Sequence, residues 1–523
     1  RHPPRAASVR QPIAMSDGPP GPGLNRPLIV SSVMLATVMT SLDTTIANVA
    51  LPHMEGSVSA SADEITWVLT SYIVAAAIMT PLSGWLAGRF GRKQVFLVSI
   101  AGFTIASALC GAAQSLPQIV GFRLLQGLFG ASLIPLSQAV LLDIYTPEEQ
   151  GPAMAIWGMG AVLGPIIGPA LGGWLTENFS WRWVFYINLP FGILAFLGVM
   201  SFIHDRRHEF KVPFDFLGFG FLSLAIGAFQ LFLDRGQDKA WFESTEIWIE
   251  ATIAGLAFFL FIVHTLTARR PFLPRELIKD RNFATATFFG FFVGMLLFAT
   301  LALLPPMLET LMGYPVVTTG IVTAPRGVGS LVSMFVVGQL VNRIDVRLII
   351  GAGLVLSIYA LFGMTSFSLG MNSWPVMWTG VIQGLGIGLI FVPLSTLAFA
   401  TLNPVYRAEG AGVFTLVRNL GSSSGISIMQ ALFSTNTSVV HSRLMEGLTP
   451  DNPNTRLLSA PYSLSNPAGI AALNAEATRQ AAMVAYIDDF RLMLLVAVLL
   501  GPLLFLMKRP VRTQNHEPSL AVD

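Results

Sequence analysis

Long apolar runs recur between Pro27 and Met507, separated mostly by short polar breaks. A helix crosses a bilayer core with about 20 apolar residues. The pattern predicts fourteen such spans. The first eight lie at 28–50, 63–88, 94–114, 117–142, 152–175, 183–203, 214–233 and 247–266. The remaining six lie at 283–304, 317–341, 348–369, 374–400, 409–433 and 488–507. An even number puts both chain ends on one side. The rhythm breaks once, at a polar segment over 434–487 in which Ala468–Ala482 has an amphipathic helical pattern. Loops of this length are functional or are tolerated insertions, and both readings stand. Residues 1–27, rich in Pro, Gly and Arg, read as a disordered cytoplasmic lead-in without a cleavage site. Met15 is a candidate natural start, which would make residues 1–14 non-native.

Composition agrees with the pattern. The chain has 523 residues, of which 53% are hydrophobic and only 11% charged, against about 25% charged in a soluble protein. The expected fold class is therefore an all-α polytopic membrane protein. Lys and Arg gather in alternate connections: Arg89, Arg92, Lys93, Arg206, Arg207, Lys211, Arg269, Arg270, Arg275, Lys279, Arg281, Arg343, Arg347, Lys508 and Arg509. Positive residues mark the cytoplasmic side, so both termini are expected there. The lone Cys110 lies in an apolar span, forms no intrachain disulfide and reads as packing.

The two halves of the chain repeat. Gln126-Gly127-Leu128 and Pro135-Leu136-Ser137 recur at an offset near 257 residues as Gln383-Gly384-Leu385 and Pro393-Leu394-Ser395. Pro147 matches Pro404, and Gly84 with Arg89 matches Gly338 with Arg343. The expected organisation is an N-terminal six-helix bundle (28–203), two extra helices with cytoplasmic linkers (204–282), a C-terminal six-helix bundle (283–507) and a cytoplasmic tail (508–523). Parallel repeats of this kind typify transporters whose site lies between rocking halves.

Polar residues inside the spans are the candidates for function. A carboxylate at bilayer depth costs about 2.5–3.5 kcal/mol on insertion scales and normally faces a partner or a cavity. Asp43, in the first span, is the candidate proton carrier. Arg123, at matching depth in the fourth, is its candidate partner; the alternative is a purely structural ion pair. Trp67, Tyr72, Gln126, Gln138, Gln383 and Asn419 are candidates to line a substrate cavity, or are satisfied within helix packing. Arg326 and Arg418 are further intramembrane cations, expected to be paired or to face a cavity. Gly160, Gly164, Gly168 and Gly172 share one face of the fifth span, with Pro165, Pro169 and Gly173 beside them. Spacing by four lets another helix approach closely, and prolines loosen a helix that rocks. Between the second and third spans, Gly84, Arg89, Gly91 and Arg92 form a glycine turn with cations for the cytoplasmic face.

With these motifs the chain resembles the major facilitator superfamily, and within it the fourteen-span drug:proton antiporters of the EmrB and QacA type. The resemblance covers residues 28–507. Its carriers are Leu42 to Pro52 in the first span, Arg123 with Gln126-Gly127 in the fourth and Gly164 to Gly173 in the fifth. Leu233-Asp-Arg-Gly236 and Asp238-Lys-Ala-Trp241 resemble the link between the two extra helices. The segment 434–487 is nearer to EmrB-like multidrug efflux pumps. Gly88 stands where the superfamily usually has an acidic residue, which leaves any charge relay there in doubt. The resemblance implies a proton-coupled exporter of hydrophobic drugs or metabolites, and hence antibiotic resistance. It also implies a Gram-negative inner membrane and possible work with a membrane-fusion adaptor and an outer-membrane channel. Proton-coupled uptake on the same fold is the alternative, and a membrane enzyme or receptor a remote one. The sequence holds no phosphate-binding loop, H-E-x-x-H pair or Cys/His cluster. It therefore points to no cofactor, metal or catalytic site, nor to nucleic-acid binding.

Overall fold

The computed structural model describes residues 25–146, 149–203, 213–341, 343–448, 462–464 and 466–507. Residues 1–24 of the expected lead-in, the tail from 508, and Arg206, Arg207 and Lys211 lie outside the described residues. The chain is an all-α bundle. The first half comprises α1 (Arg26–Val58), α2 (Trp67–Met79 continued by Leu82–Phe90), α3 (Arg92–Ala112), α4 (Leu116–Ile144), α5 (Gln150–Asn178) and α6 (Trp183–Phe202). Then come α7 (Phe216–Arg235) and α8 (Thr245–Thr267). The second half comprises α9 (Arg281–Leu311), α10 (Val316–Leu340), α11 (Val346–Met364), α12 (Trp374–Ala400), α13 (Arg407–Glu446) and α14 (Pro467–Leu500).

Among the described residues, twelve helices are long and apolar enough to span a membrane, and the two parts of α2, bent by 56°, make up to thirteen. A count of fourteen rests on α13. That helix has 40 residues, but its serines, Arg418 and Asn419 lower its hydropathy below that of the others.

Local chemistry sets where the helices begin. Ser61 and Glu64 cap each other ahead of α2, with Glu64 N donating to Ser61 Oγ at 3.3 Å and Ser61 N donating to Glu64 Oε2 at 2.9 Å. Asp215, Asp280 and Asn466 accept from the first turns of α7, α9 and α14. Gly91 turns the chain between α2 and α3 at φ 90°, a conformation that costs glycine nothing.

Within the first half α1 packs on α5 and α6, and α4 on α2 and α3. The second half repeats this, with α9 on α13 and α12 on α10 and α11. The extra helices pair with each other, and α7 leans on both α2 and α13. The halves meet along two seams, α5 with α10 and α2 with α13. On the side of the membrane where α1 begins, called here the terminal side, both seams are shut. A Cβ on Gly84 would lie 2.6 Å from the main chain of Glu409, and one on Gly412 would lie 2.9 Å from Thr80 O. Arg407 Nη1 donates to Leu142 O at 3.1 Å. The other seam mirrors this contact: Gly338, which matches Gly84, faces Ala155 and Pro152, with Cβ distances of 3.2 and 3.7 Å. Pro152 is the residue that the 257-residue offset pairs with Glu409. The repeat is thus visible in the packing.

The expected polar segment 434–487 is largely helical. α13 continues to Glu446 and α14 starts at Pro467, and residues 449–461 lie outside the described residues. The Phe433 and Tyr486 rings are 4.4 Å apart, and farther out His441 Nε2 and Asn474 Oδ1 are 3.0 Å apart. Hydropathy marks where apolar surface ends, whereas a helix continues until a breaker or cap stops it. No glycine or proline interrupts 426–446, and the Asn466-Pro467 cap starts the return helix well before the apolar part.

Candidate functional site

The most polar buried point of the first half is built on α1. Asp43 is 0% exposed, and both its oxygens accept hydrogen bonds. Arg123 Nη1 donates to Oδ2 at 2.7 Å, while Gln126 Nε2 and Asn188 Nδ2 each donate to Oδ1 at 2.8 Å. This pattern suits an ionised carboxylate, which only accepts. Arg123, 1% exposed, also donates through Nε to Val68 O at 3.1 Å and through Nη1 to Gln126 Oε1 at 2.8 Å. Its guanidinium lies over the Tyr72 ring at 4.2 Å and near Phe185 at 5.6 Å. Asn188 donates as well to Ser107 Oγ at 3.0 Å, and that hydroxyl donates to Phe185 O at 2.9 Å. Five helices therefore converge on one carboxylate. Removing one partner of such a buried pair costs about 3–5 kcal/mol, because the other charge is left stranded.

The glycines of α5 give this site its position. Gly160, Gly164, Gly168 and Gly172 lie against Met34, Ser41, Thr45 and Ile46 of α1 respectively. Two hydrogen bonds lock the contact: Ser41 Oγ donates to Ala161 O at 2.6 Å and Thr45 Oγ1 to Gly164 O at 3.1 Å. The glycine face presses on the stretch of α1 that carries Asp43. Gly173 has ordinary spacing, 3.8 Å from Val49. Pro165 and Pro169 sit within one continuous helix. The neighbouring Ile166 and Ala170 turn toward Gly327 and Gly320 of α10.

Of the residues singled out from the sequence, Asp43, Arg123, Gln126 and Tyr72 come together. Trp67 stands apart, partly exposed, with the Arg235 guanidinium 5.4 Å away. Gln138 is buried, and neither of its amide atoms has a partner. Asn419 is exposed beside Arg418. Gln383 belongs to the second half, where Nε2 donates to Thr300 Oγ1 at 3.1 Å. At the terminal side Gly84 and Gly91 act as described, Arg92 pairs with Asp143, and Arg89 is exposed. Sequence reasoning missed Asn188 and Ser107. The signal was a single amide in an otherwise apolar sixth span, between Ile187 and Leu189. Arg326 and Arg418, expected to be paired or to face a cavity, are buried and make no ion pair among the described residues. The described residues hold no group of three or more potential metal ligands.

Comparison with known proteins agrees with this architecture. The Major Facilitator Superfamily profile matches residues 33–426. The fatty acid resistance protein FarB of Neisseria gonorrhoeae is 35% identical over 501 residues, 94% of this chain and 98% of the relative. The multidrug export protein EmrB of Escherichia coli K12 is 35% identical over 447 residues, 85% of this chain and 87% of the relative. Among solved structures, the human organic anion transporter MFSD10 superposes with a TM-score of 0.56 at 15% identity, covering 90% of this chain and 99% of that one. A bacterial homologue of the lysosomal transporter Spinster gives 0.55 at 18%, covering 94% and 100%. These two likenesses concern the fold alone. This chain is a multi-pass transporter belonging to the major facilitator superfamily.

Proposed function

We propose that this transporter exports hydrophobic or amphipathic small molecules in exchange for protons, by alternating access. The observation that carries the reading is the buried carboxylate of Asp43, held by Arg123, Gln126 and Asn188. With Asp43 ionised, the network ties α1 to α4 and α6. A proton on Asp43 weakens the bond to Arg123 and loosens that tie, and its release restores it. Binding and release on opposite sides then couple proton entry to substrate exit. The glycine face of α5 is the track on which α1 moves. The terminal-side contacts around Gly84, Arg92 and Glu409 form the gate that closes behind the substrate. Gln383 is the candidate cavity residue of the second half. Export is supported by the names of FarB and EmrB, each 35% identical to this chain.

We assign the terminal side, and with it both termini, to the cytoplasm from its Lys and Arg residues; a bacterial inner membrane is the reading that the likeness to EmrB of Escherichia coli supports. On the opposite side, the paired extensions of α13 and α14 are the surface assigned to a membrane-fusion adaptor. Copurification of an adaptor that survives deletion of 434–487 would remove that assignment.

The test of coupling is substrate flux in proteoliposomes under an imposed pH gradient. Asp43→Asn should abolish gradient-driven flux while downhill exchange of substrate persists. Undiminished gradient-driven flux would take Asp43 out of the role. An unchanged pH dependence in Arg123→Ala would likewise remove Arg123.

A further inference from the structure

The repeat that relates the two halves extends to the interior of the site. The 257-residue offset carries Asp43 to Thr300, Gln126 to Gln383 and Arg123 to Gly380. The offset of 254 that relates Gly84 to Gly338 carries Tyr72 to Arg326. The contacts follow these pairings. Gln126 Nε2 donates to Asp43 Oδ1 at 2.8 Å, and Gln383 Nε2 donates to Thr300 Oγ1 at 3.1 Å. The Arg123 guanidinium lies over Tyr72, and Gly380 packs against Arg326, with its Cβ position 3.5 Å from the Arg326 Cβ. Where Asn188 donates to Asp43 in the first half, Met493 Sδ lies 3.7 Å from Thr300 Oγ1 in the second, and the Thr300 hydroxyl donates to Leu296 O at 2.7 Å.

At the matching positions the second half therefore keeps a glutamine amide, with a guanidinium on the facing helix, but has Thr300 in place of the carboxylate; its buried carboxylate, Asp489, lies one turn of α14 before Met493 and makes no ion pair among the described residues. Arg326 is 6% exposed, and its Nη2 donates to Leu297 O at 3.1 Å. Its Nη1 is buried without a partner, and so is Gln383 Oε1. Arg418, 9% exposed, adds a second cation with a buried, unpartnered Nε. A Cβ on Gly294, one turn of α9 before Leu297, would lie 3.1 Å from the Arg418 Cγ, so both cations attach to the same stretch of α9. The Arg418 guanidinium is 5.2 Å from the Phe391 ring, which stacks on Trp157 of the first half at 5.9 Å. This places Arg418 at the meeting of the halves. An unpaired guanidinium at this depth is costly and marks a functional position.

We propose that Arg326, with Thr300 and Gln383 and reinforced by Arg418, is a subsite for the anionic head of an amphipathic substrate such as a long-chain carboxylate. The substrate's carboxylate takes the place that Asp43 fills in the other half. This deepens the reading of the chain as an exporter with its site between the halves, and rests on it.

The test is equilibrium binding to the full chain in lipid nanodiscs, without any gradient, using dodecanoate and dodecanol as probes. The wild type should prefer dodecanoate by about tenfold or more, the range of a charge-assisted hydrogen bond. Arg326→Gln should erase that preference, with dodecanoate affinity falling to that of dodecanol, and Arg326→Lys should restore part of it. Thr300→Asp supplies the missing carboxylate from within the chain. It should erase the preference too, while raising the melting temperature. A wild type without preference, or an Arg326→Gln or Thr300→Asp variant that still prefers dodecanoate, overturns the proposal. Because no gradient is used, a failure of proton coupling at Asp43 would show only in the flux experiment.

Discussion

Replacing Gly164 by alanine puts a methyl group where the main chain of α1 runs. The new Cβ would lie 2.6 Å from Leu42 N and closer still to the Ser41 carbonyl. Carbon atoms pack at about 3.5–4.0 Å, so α1 and α5 must separate locally by about 1 Å. A main chain cannot swing aside as a side chain does, and overpacking of this kind costs about 1–3 kcal/mol. The larger effect is on function. Asp43 follows within two residues of the clash, and its bonds to Arg123, Gln126 and Asn188 are already 2.7–2.8 Å long. Displacement by about 1 Å breaks or lengthens at least one of them, and misplacement on that scale can cost about a hundredfold in rate. Gradient-driven flux in proteoliposomes, at matched amounts of folded protein, should fall by at least tenfold, roughly. Gly173→Ala is the control, since its Cβ meets only Val49 at 3.8 Å. That change gains about 1 kcal/mol of helix propensity and should leave flux unchanged. Equal flux in the two variants would refute the idea that the glycine face positions Asp43.

Asn188→Leu removes one donor to Asp43 and strands part of the network, so it should lower thermal stability by about 1–3 kcal/mol and shift the pH dependence of transport. An unchanged pH profile would count against its membership of the site. Gly84→Val places a side chain against the main chain of Glu409 and should hold the terminal side open, so that substrate binds but transport stalls; normal turnover would argue against that gate. Breaking the partly exposed Arg92–Asp143 pair by Asp143→Asn should change stability by less than about 1 kcal/mol, read by a thermal melt. Cys110 is fully buried, with its sulfur 3.6 Å from Gln126 Oε1. It should react with a maleimide far more slowly than a cysteine introduced at exposed Arg89.

Much of this was legible in the chain because membrane burial writes plainly. Asp43 and Arg123 stand out as charges in apolar runs, and their matching depths agree with the ion pair that the fold forms. The glycine spacing announced a close approach but not its partner, since nothing in the sequence says which helix faces α5. Asn188 and Ser107 escaped notice because a neutral polar residue in a span has many satisfactory surroundings. The same ambiguity leaves Trp67, Gln138 and Asn419 open between a cavity and helix packing. Arg326 was visible as a charge, whereas the absence opposite it needed coordinates: Thr300 and Gly380 become informative only once laid over Asp43 and Arg123. The extension of α13 over 434–446 leaves no mark in the hydropathy pattern, since a polar helix carries no such signal, whereas the amphipathic pattern of Ala468–Ala482 announces the start of α14.

Those extensions have a mechanical consequence. α13 is 40 residues long, or about 60 Å at 1.5 Å per residue, twice the thickness of a hydrocarbon core of about 30 Å. Together with the start of α14 it forms a stiff mast that is continuous with the second half and has no hinge glycine between Gly425 and Glu446. A mast turns small rotations at its foot into larger sweeps at its tip. If the halves rock as proposed, whatever rests on that tip feels each stroke amplified, and a load placed there pushes back on the helices below.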